Sequence, residues 1–334
     1  MSNSISDKLS RRSSYTAASS YPIKVLLDNE LNKSIRDEGR IIPVHMQLSP
    51  TNRCNLNCSW CSCSERDKRI ELPYERIKKL FDIGEELGTK ATTITGGGEP
   101  TLHPQISEMI RYADERDIKG GLVSNGLLLD RVDTDALRRL TWTRISFGDY
   151  RKFDGRFKEQ MMDAVERAPK VDWAFSYVLA NKEPNWDNLR DIVLFANRND
   201  FTHVRFVSDL YNPDVVDMDY VRNKLRANGI DDHLVIYQGR KDWTSGTPNC
   251  LISLLKPIID AHGGVYPCCG VQYAEANPSR DFSKTMRMGD IEDLPRIYRE
   301  QRFFDGSNCV KCYYKDYNDI LTTLQAGVKH GRFV

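Results

Sequence analysis

The chain lacks an excess of charge of either sign. It has 48 lysines and arginines against 47 aspartates and glutamates in 334 residues. A near-neutral chain has no electrostatic footprint for bulk nucleic-acid or membrane binding, although a local basic patch is compatible with this balance. Net charge therefore gives no support to a nucleic-acid partner without forbidding one.

Long apolar runs are also missing. No stretch approaches the roughly 18 residues needed to span a bilayer, and Met1–Ser20 lacks the apolar segment of a secretory signal. We therefore expect a cytoplasmic protein with no membrane partner. Residues 1–40 are predicted to form an N-terminal arm that is partly disordered, because its first half is rich in serine and poor in apolar side chains.

Cysteine, in contrast, is abundant. Because no secretory signal is found, disulfides are not expected. Clustered cysteines in an intracellular chain indicate metal ligands or catalytic thiols. The nine cysteines are Cys54, Cys58, Cys61, Cys63, Cys250, Cys268, Cys269, Cys309 and Cys312.

Strand-like and helix-like segments alternate through the first two thirds of the chain. The predicted strands lie near residues 44–48, 91–95, 121–124, 144–147, 173–179 and 203–208. Segments with apolar residues at helical spacing separate most of them. This pattern predicts an α/β protein of parallel βα units, as a partial barrel or an open doubly wound sheet, with its functional residues in the loops after the strands.

The loop after the first predicted strand carries three cysteines. Cys54, Cys58 and Cys61 have the spacing C-x3-C-x2-C. Three thiolates can each bind one iron of a cubane cluster and leave the fourth iron open, whereas electron-transfer clusters use four cysteines. A zinc site or a chance cluster is the alternative. Cys63 is the weaker candidate for a fourth ligand, because C-x-C spacing is crowded.

The second predicted strand runs directly into Gly96, Gly97, Gly98 and Glu99. Glycines allow the backbone to approach a ligand closely, and a glutamate can accept a hydrogen bond from an ammonium group. A glycine run at the end of a strand is often only a turn. Its position, one strand after the cysteine loop, makes it a candidate part of the same site.

These two motifs together resemble the radical SAM superfamily. The cysteine spacing with Trp60 before the last cysteine is similar to the superfamily signature, and the glycine run is similar to its GGE motif. The resemblance covers residues 40–210 and implies a partial (β/α)6 barrel of the TIM type. It implies a [4Fe-4S] cluster on the three cysteines, S-adenosylmethionine on the open iron, and reductive cleavage to a 5′-deoxyadenosyl radical that abstracts hydrogen.

The resemblance also assigns roles to individual residues. Gly96, Gly97, Gly98 and Glu99 are expected to hold the amino group of S-adenosylmethionine. Asn125 and Ser146 follow the third and fourth strands and are expected to contact its carboxylate and ribose, with a turn role as the alternative. An electron donor such as a flavodoxin or a ferredoxin is the expected protein partner. The barrel is predicted over residues 41–230.

The C-terminal third contains a second cysteine group. Its predicted metal ligands are Cys250, Cys268, Cys309 and Cys312. Four thiolates from separate segments can enclose a zinc ion or an iron–sulfur cluster. The C-x12-G-x4-C spacing resembles the SPASM and twitch domains of radical SAM enzymes, and the short cysteine count resembles the twitch form. It implies one auxiliary [4Fe-4S] cluster in a small domain over residues 231–334.

Two cysteines have no assigned metal. Cys269 adjoins Cys268 and is predicted to be a buried thiol, or alternatively a catalytic group that returns a hydrogen atom to a substrate radical. Cys63 is predicted to be structural. These two cysteines remain after the other seven have been assigned as metal ligands.

An auxiliary cluster beside a radical site favours dehydrogenation or epimerisation of a small polar substrate, such as a sugar or cyclitol. The alternatives are modification of a nucleotide or nucleic-acid base, modification of a peptide, and a non-catalytic metal-stabilised binding protein. Five polar residues lie near strand ends, and we expect most of them at the surface, with Arg205 able to point inward. These are Asp149, Tyr150, Arg151, Arg205 and Asp209.

Overall fold

The computed structural model describes most of the chain. The described residues are 24–64, 66–210, 212–239, 244–269, 286–309, 312 and 314–327. The expected disorder of the first twenty residues falls outside this part of the chain. No helix within it is long and apolar enough to cross a membrane.

A ten-stranded sheet organises the molecule. Its order is β10-β9-β8-β1-β2-β3-β4-β5-β6-β7, and all neighbours from β8 through β7 run parallel. The strands are β1 His45–Leu48, β2 Ala91–Ile94, β3 Lys119–Ser124, β4 Leu140–Gly148, β5 Asp172–Leu179, β6 His203–Ser208, β7 Val235–Gln238, β8 Ile258–Ile259, β9 Gly264–Tyr266 and β10 Gly289–Asp290.

Helices connect the parallel strands and cover one face of the sheet. They are α1 Asn29–Glu38, α2 Tyr74–Leu87, α3 Ile106–Glu115, α4 Thr134–Arg138, α5 Gly155–Arg167, α6 Trp186–Arg198, α7 Met218–Ala227, α8 Ile252–Leu255, α9 Leu294–Arg299 and α10 Lys315–Ala326. Their apolar stripes and the outward strand residues form one core. Tyr177, Phe81, Phe147, Phe175 and Phe206 are its largest fully buried side chains.

The sequence fixes several helix boundaries through local capping. Asp154 and Asn185 accept hydrogen bonds from the backbone of the first turns of α5 and α6. Helix α2 ends at Gly88, which takes a left-handed conformation. The caps at Asp154 and Asn185 end strand-to-helix loops at the carboxyl edge of the sheet, whereas Gly88 lies in the helix-to-strand turn before β2.

The C-terminal segment continues the sheet on its β1 side. Strand β8 pairs in parallel with β1, and β9 and β10 follow in antiparallel order. Side chains of this segment, such as Leu254 and Ile297, belong to the same core as the barrel helices. The hydroxyl of Tyr298 donates to the carbonyl of Leu254 at 2.6 Å. The cysteine-rich segment is thus built onto the barrel sheet.

The six strands predicted from the sequence are confirmed, with ends that shift by up to four residues. Strand β7 and the three short strands β8–β10 were not predicted. The α/β class with a partial barrel is confirmed. The division at residue 230 stays a prediction.

Candidate active site at the carboxyl edge of the sheet

The three-cysteine loop leaves β1 at the carboxyl edge of the sheet. Cys54, Cys58 and Cys61 are half-buried. Burial raises the pKa of Cys58 to about 11, and the charges of Cys61 and Cys54 add to that rise, so the three thiols lie together. A cluster of irons would reverse this penalty, because a coordinated thiol is held as the thiolate.

Cys63 is the buried cysteine of this loop. Its side chain hydrogen-bonds to the hydroxyl of Ser62 at 3.7 Å, and its proximity to Cys61 lowers the pKa of Cys61 and raises that of Cys63. In the described ranges, no three histidine, cysteine, aspartate or glutamate side chains form a group compact enough for one metal ion. A cubane instead places each thiolate on a different iron and needs a wider triangle of sulfurs. The structural role predicted for Cys63 agrees with this contact.

The glycine run packs directly against the cysteine loop. The amide of Gly98 donates to the carbonyl of Thr51 at 2.9 Å, and the amide of Glu99 donates to that of Arg53 at 2.7 Å. A Cβ atom on Gly98 would lie 2.0 Å from the Arg53 oxygen, and one on Gly97 would lie 2.3 Å from Oδ1 of Asn52. Only glycine allows these two loops to meet.

Replacement of Gly98 by alanine is expected to separate the two loops. Relief of the clash requires a backbone shift, which typically costs about 1–3 kcal/mol. We expect a lower urea midpoint and weaker S-adenosylmethionine binding in anaerobic protein. Gly155→Ala is the matched control, because nothing lies within 4 Å of its Cβ position. Equal behaviour of the two variants would contradict the packing role of Gly98.

Glu99 holds the glycine loop to the end of β3. Glu99 is 3% exposed. It accepts hydrogen bonds from the amide and hydroxyl of Thr101 (3.1 and 2.8 Å), the hydroxyl of Ser124 (2.8 Å) and the amide of Asn125 (2.7 Å). Burial raises the pKa of Glu99, and these hydrogen bonds oppose the rise. Four donors match the lone pairs of a carboxylate, so the side chain positions the loop.

Asn125 and Ser146 also reach this edge. The Asn125 side chain donates to Oδ1 of Asn55 in the cysteine loop at 2.7 Å and accepts from the amide of Leu127 at 2.9 Å. Ser146 is half-buried near the end of β4, level with Ser176 of β5. Their contacts with S-adenosylmethionine stay predictions, as do those of Gly96, Gly97, Gly98 and Glu99.

The expectation that most of the five polar strand-end residues lie at the surface was wrong. Arg151 is partly buried, and its guanidinium lies 4.2 Å from the ring centroids of both Phe147 and Phe157. Its Nη2 donates to the carbonyl of Asn125 at 2.5 Å. Nε and Nη1 are buried and donate to no described residue.

The charge of Arg151 acts on the cysteine loop. It opposes the rise in the pKa of Cys58, and Glu99 is among the groups that act on Arg151 in turn. A guanidinium with two buried donors to spare is suited to a carboxylate. No local sequence signal marks this residue, because its burial depends on the aromatic side chains of β4 and α5.

The other four residues have mixed surroundings. Tyr150 packs against Trp60 of the cysteine loop, with ring centroids 5.2 Å apart. Asp149 accepts hydrogen bonds from the hydroxyl of Tyr177 and from Asn181 and Asn185, and it therefore organises the loop before α6. The other two are Arg205, half-buried inside the barrel, and Asp209, buried after β6.

The second cysteine group is assembled by backbone pairing. Cys250 pairs with Phe304, and the amide of Cys312 donates to the carbonyl of Thr244. Burial raises the pKa of Cys250 to about 11, and the charges of Cys312 and Cys309 contribute to that rise. Three of the four predicted ligands therefore lie near one another, although among the described residues no three of them form a group compact enough for a single metal ion.

Cys268 reaches the same region along a β-hairpin. Gly263 has φ of 85° in the turn between β8 and β9, and β9 leads to Cys268. Cys268, Cys269 and Phe304 pack against one small apolar cluster. The C-x12-G-x4-C spacing therefore corresponds to a hairpin whose turn requires a left-handed residue.

Comparisons with known proteins agree with this geometry. Residues 48–196 match the Radical SAM superfamily. GTP 3′,8-cyclase of Petrotoga mobilis is 34% identical over 116 residues, which are 32% of this chain and 34% of that protein. PqqA peptide cyclase of Granulibacter bethesdensis is 31% identical over 111 residues, 32% of this chain and 29% of that protein.

A solved structure shares the fold over a longer range. Streptococcus suis SuiB bound to S-adenosylmethionine has a TM-score of 0.58 at 13% identity, covering 85% of this chain and 72% of that one. The chain spans 24% to 53% of the length of the first three curated relatives that it matches.

A partial barrel with a three-cysteine loop and an adjoining glycine loop defines a class of iron–sulfur enzymes. Over residues 48–196 the chain has a radical SAM domain. Members of this superfamily bind a [4Fe-4S] cluster and S-adenosylmethionine.

Proposed function

We propose that this chain cleaves S-adenosylmethionine at a [4Fe-4S] cluster bound by Cys54, Cys58 and Cys61 and uses the product to abstract hydrogen from a substrate. The observation that carries the proposal is the close packing of the three-cysteine loop against Gly97 and Gly98. When bound, the cluster and S-adenosylmethionine supply a 5′-deoxyadenosyl radical. An electron donor of the flavodoxin or ferredoxin type would reduce the cluster.

The described residues fit S-adenosylmethionine in three respects. The glycine loop offers main-chain carbonyls to an ammonium group without steric obstruction from side chains. Arg151 offers two buried N–H donors to a carboxylate. Glu99 fixes the glycine loop, and Asn125 joins it to the cysteine loop.

The C-terminal cysteines form the second part of the proposal. Cys250, Cys268, Cys309 and Cys312 would bind an auxiliary [4Fe-4S] cluster in a twitch-like unit over residues 231–334. Convergence of three of these thiols supports it. Cys269, whose sulfur lies 3.4 Å from the hydroxyl of Tyr314, stays a candidate hydrogen donor.

The substrate expectation has to be revised. The comparisons do not support a sugar or cyclitol. Two of the relatives are named for GTP and for a peptide, and SuiB bound to its precursor peptide has a TM-score of 0.56 at 14% identity. A nucleotide and a peptide are therefore the two candidate substrates, and both stood as alternatives to the sugar.

Formation of 5′-deoxyadenosine tests the activity directly. Anaerobically reconstituted wild type with dithionite is expected to form it from S-adenosylmethionine, whereas Cys58→Ser is expected to form none above background. Cys63→Ser keeps a hydrogen-bond donor toward Cys61 and is expected to retain activity. An inactive, fully iron-loaded wild type would overturn the proposal, and an inactive Cys63→Ser would make Cys63 a ligand.

A further inference from the structure

The barrel interior contains basic side chains that the proposed reaction does not use. Strand register places Val123, Arg144, Ala174 and His203 at one level, and Arg205 one level nearer the carboxyl edge. These residues alternate with outward core residues along each strand, so they face the interior. Arg205 donates to the hydroxyl of Ser176 at 3.1 and 3.3 Å.

Lys256 brings a third cation into this interior. It lies just before β8, which pairs with β1 beside Gln47. Burial lowers the pKa of Lys256, the charges of Cys269 and Cys268 oppose that fall, and the charges of Arg144 and Arg205 add to it. The three cations therefore share one interior space between β4, β6 and β8.

The pKa values of two neighbouring histidines are lowered by burial and by the same positive charges. Burial lowers the pKa of His203 to about 3, with Arg144 and Arg205 contributing. Burial also lowers the pKa of His45 on β1, with Lys256 contributing. Both imidazoles are therefore neutral, and the net charge comes from the arginines and the lysine.

Two of the cations have no acidic partner among the described residues. Neither Arg144 nor Lys256 forms an ion pair there, and Nε of Arg144 is buried without an acceptor. Burial alone lowers the pKa of Arg144 to about 10. Surface arginines such as Arg139 behave in the opposite way, because aspartates raise their pKa.

Such an arrangement is costly without a ligand. Each unpaired buried charge costs several kcal/mol, and charged residues are almost never buried unless paired. Both Arg144 and Lys256 nevertheless keep some accessible surface although protein surrounds them. Both cations therefore remain within reach of a ligand.

We infer that Arg144, Arg205 and Lys256 bind the phosphate groups of a phosphorylated substrate inside the barrel. A carboxylate neutralises one positive charge, whereas a phosphate ester carries about 1.5 to 2 negative charges and a polyphosphate carries more. The guanidinium fork matches phosphate oxygens bidentately. The inference deepens the proposed function, on which it rests, and selects the nucleotide over the peptide.

Stabilisation of the reconstituted holoenzyme by inorganic tripolyphosphate tests the site. Wild type is expected to melt at a higher temperature as tripolyphosphate increases. Arg144→Met and Lys256→Met are each expected to bind it about 10- to 100-fold more weakly, because each removes a charged hydrogen bond. The matched control is Arg198→Met, an exposed arginine on α6, which should bind like wild type.

A readout without ligand separates a binding role from a structural one. Removal of an uncompensated buried charge is expected to leave the ligand-free stability equal or higher, and Arg144→Lys is expected to restore part of the tripolyphosphate affinity. Equal stabilisation of wild type and Arg144→Met would overturn the inference. Stabilisation of wild type by a glutamate-rich peptide, but not by tripolyphosphate, would also overturn it in favour of the peptide.

The proposed function can fail independently of this site. Formation of 5′-deoxyadenosine without substrate depends on the cysteine loop, and it is measured in the wild type beside tripolyphosphate binding. A wild type that binds tripolyphosphate but cleaves no S-adenosylmethionine would overturn the proposed function and leave the anion site standing. A wild type that cleaves S-adenosylmethionine but ignores tripolyphosphate would overturn only the anion site.

Discussion

Replacement of Cys54, Cys58 and Cys61 by alanine is expected to halve the iron content of the reconstituted protein and to abolish 5′-deoxyadenosine formation. Two [4Fe-4S] clusters correspond to about eight irons per chain, and loss of one leaves about four. The three thiols lie together after β1, whereas Cys250, Cys309 and Cys312 converge in a separate part of the chain. The measurement is iron and sulfide per chain.

The reciprocal variant is the control. Cys250, Cys309 and Cys312 replaced by alanine should also lose about four irons while keeping the cluster on the first loop. A wild type with about four irons and bound zinc would contradict the auxiliary cluster and make the C-terminal cysteines a zinc site. A redox-neutral reaction would then become the better proposal.

Replacement of Phe147 by alanine is expected to destabilise the protein by about 3–5 kcal/mol, as for other fully buried phenylalanines. Phe147 is fully buried between β4 and α5 and contacts the rings of Phe153, Phe157 and Tyr177. It also forms one of the two aromatic faces that hold Arg151. Anaerobic urea denaturation measures the first effect, and S-adenosylmethionine affinity in the folded protein measures the second.

Phe201→Ala separates these two effects. Phe201 is equally buried and stacks on Phe175 with centroids 4.7 Å apart. It should cost similar stability but leave S-adenosylmethionine affinity unchanged in the folded fraction. If the two variants lost affinity equally, Arg151 would not depend on Phe147 for its position.

The sequence predicted the long parallel strands because their β-branched and aromatic runs are local signals. It did not predict β7, which has four residues, or β8, which has two. The two residues of β8 do not complete a recognisable period. Strand β7 is as long as β1 and β2, which were predicted, so its length does not explain why it was missed. The existence of β7 and β8 depends on pairing with β6 and β1, which is a tertiary property.

The residues of the candidate site also fall into those that a local sequence signal marks and those that depend on tertiary packing. Cysteine spacing and the glycine run are contiguous in sequence, and the structure brings those two loops together. Arg151 and Arg144 carry no such signal, because an arginine after or within a strand is usually exposed. Their burial comes from aromatic neighbours and from the closed interior of the barrel, neither of which a periodicity can reveal.

The pairing of β8 with β1 constrains how the chain acquires its structure during synthesis. Gln47 and Ile258 are partners in the sheet although about 210 residues separate them, so this contact carries a high loop-closure cost. The strands from β1 to β7 can assemble as they leave the ribosome, each beside its predecessor. Strand β1, however, keeps an open edge until residue 259 has emerged, and exposed strand edges promote aggregation. A chaperone that covers this edge should therefore increase the yield of correctly folded protein.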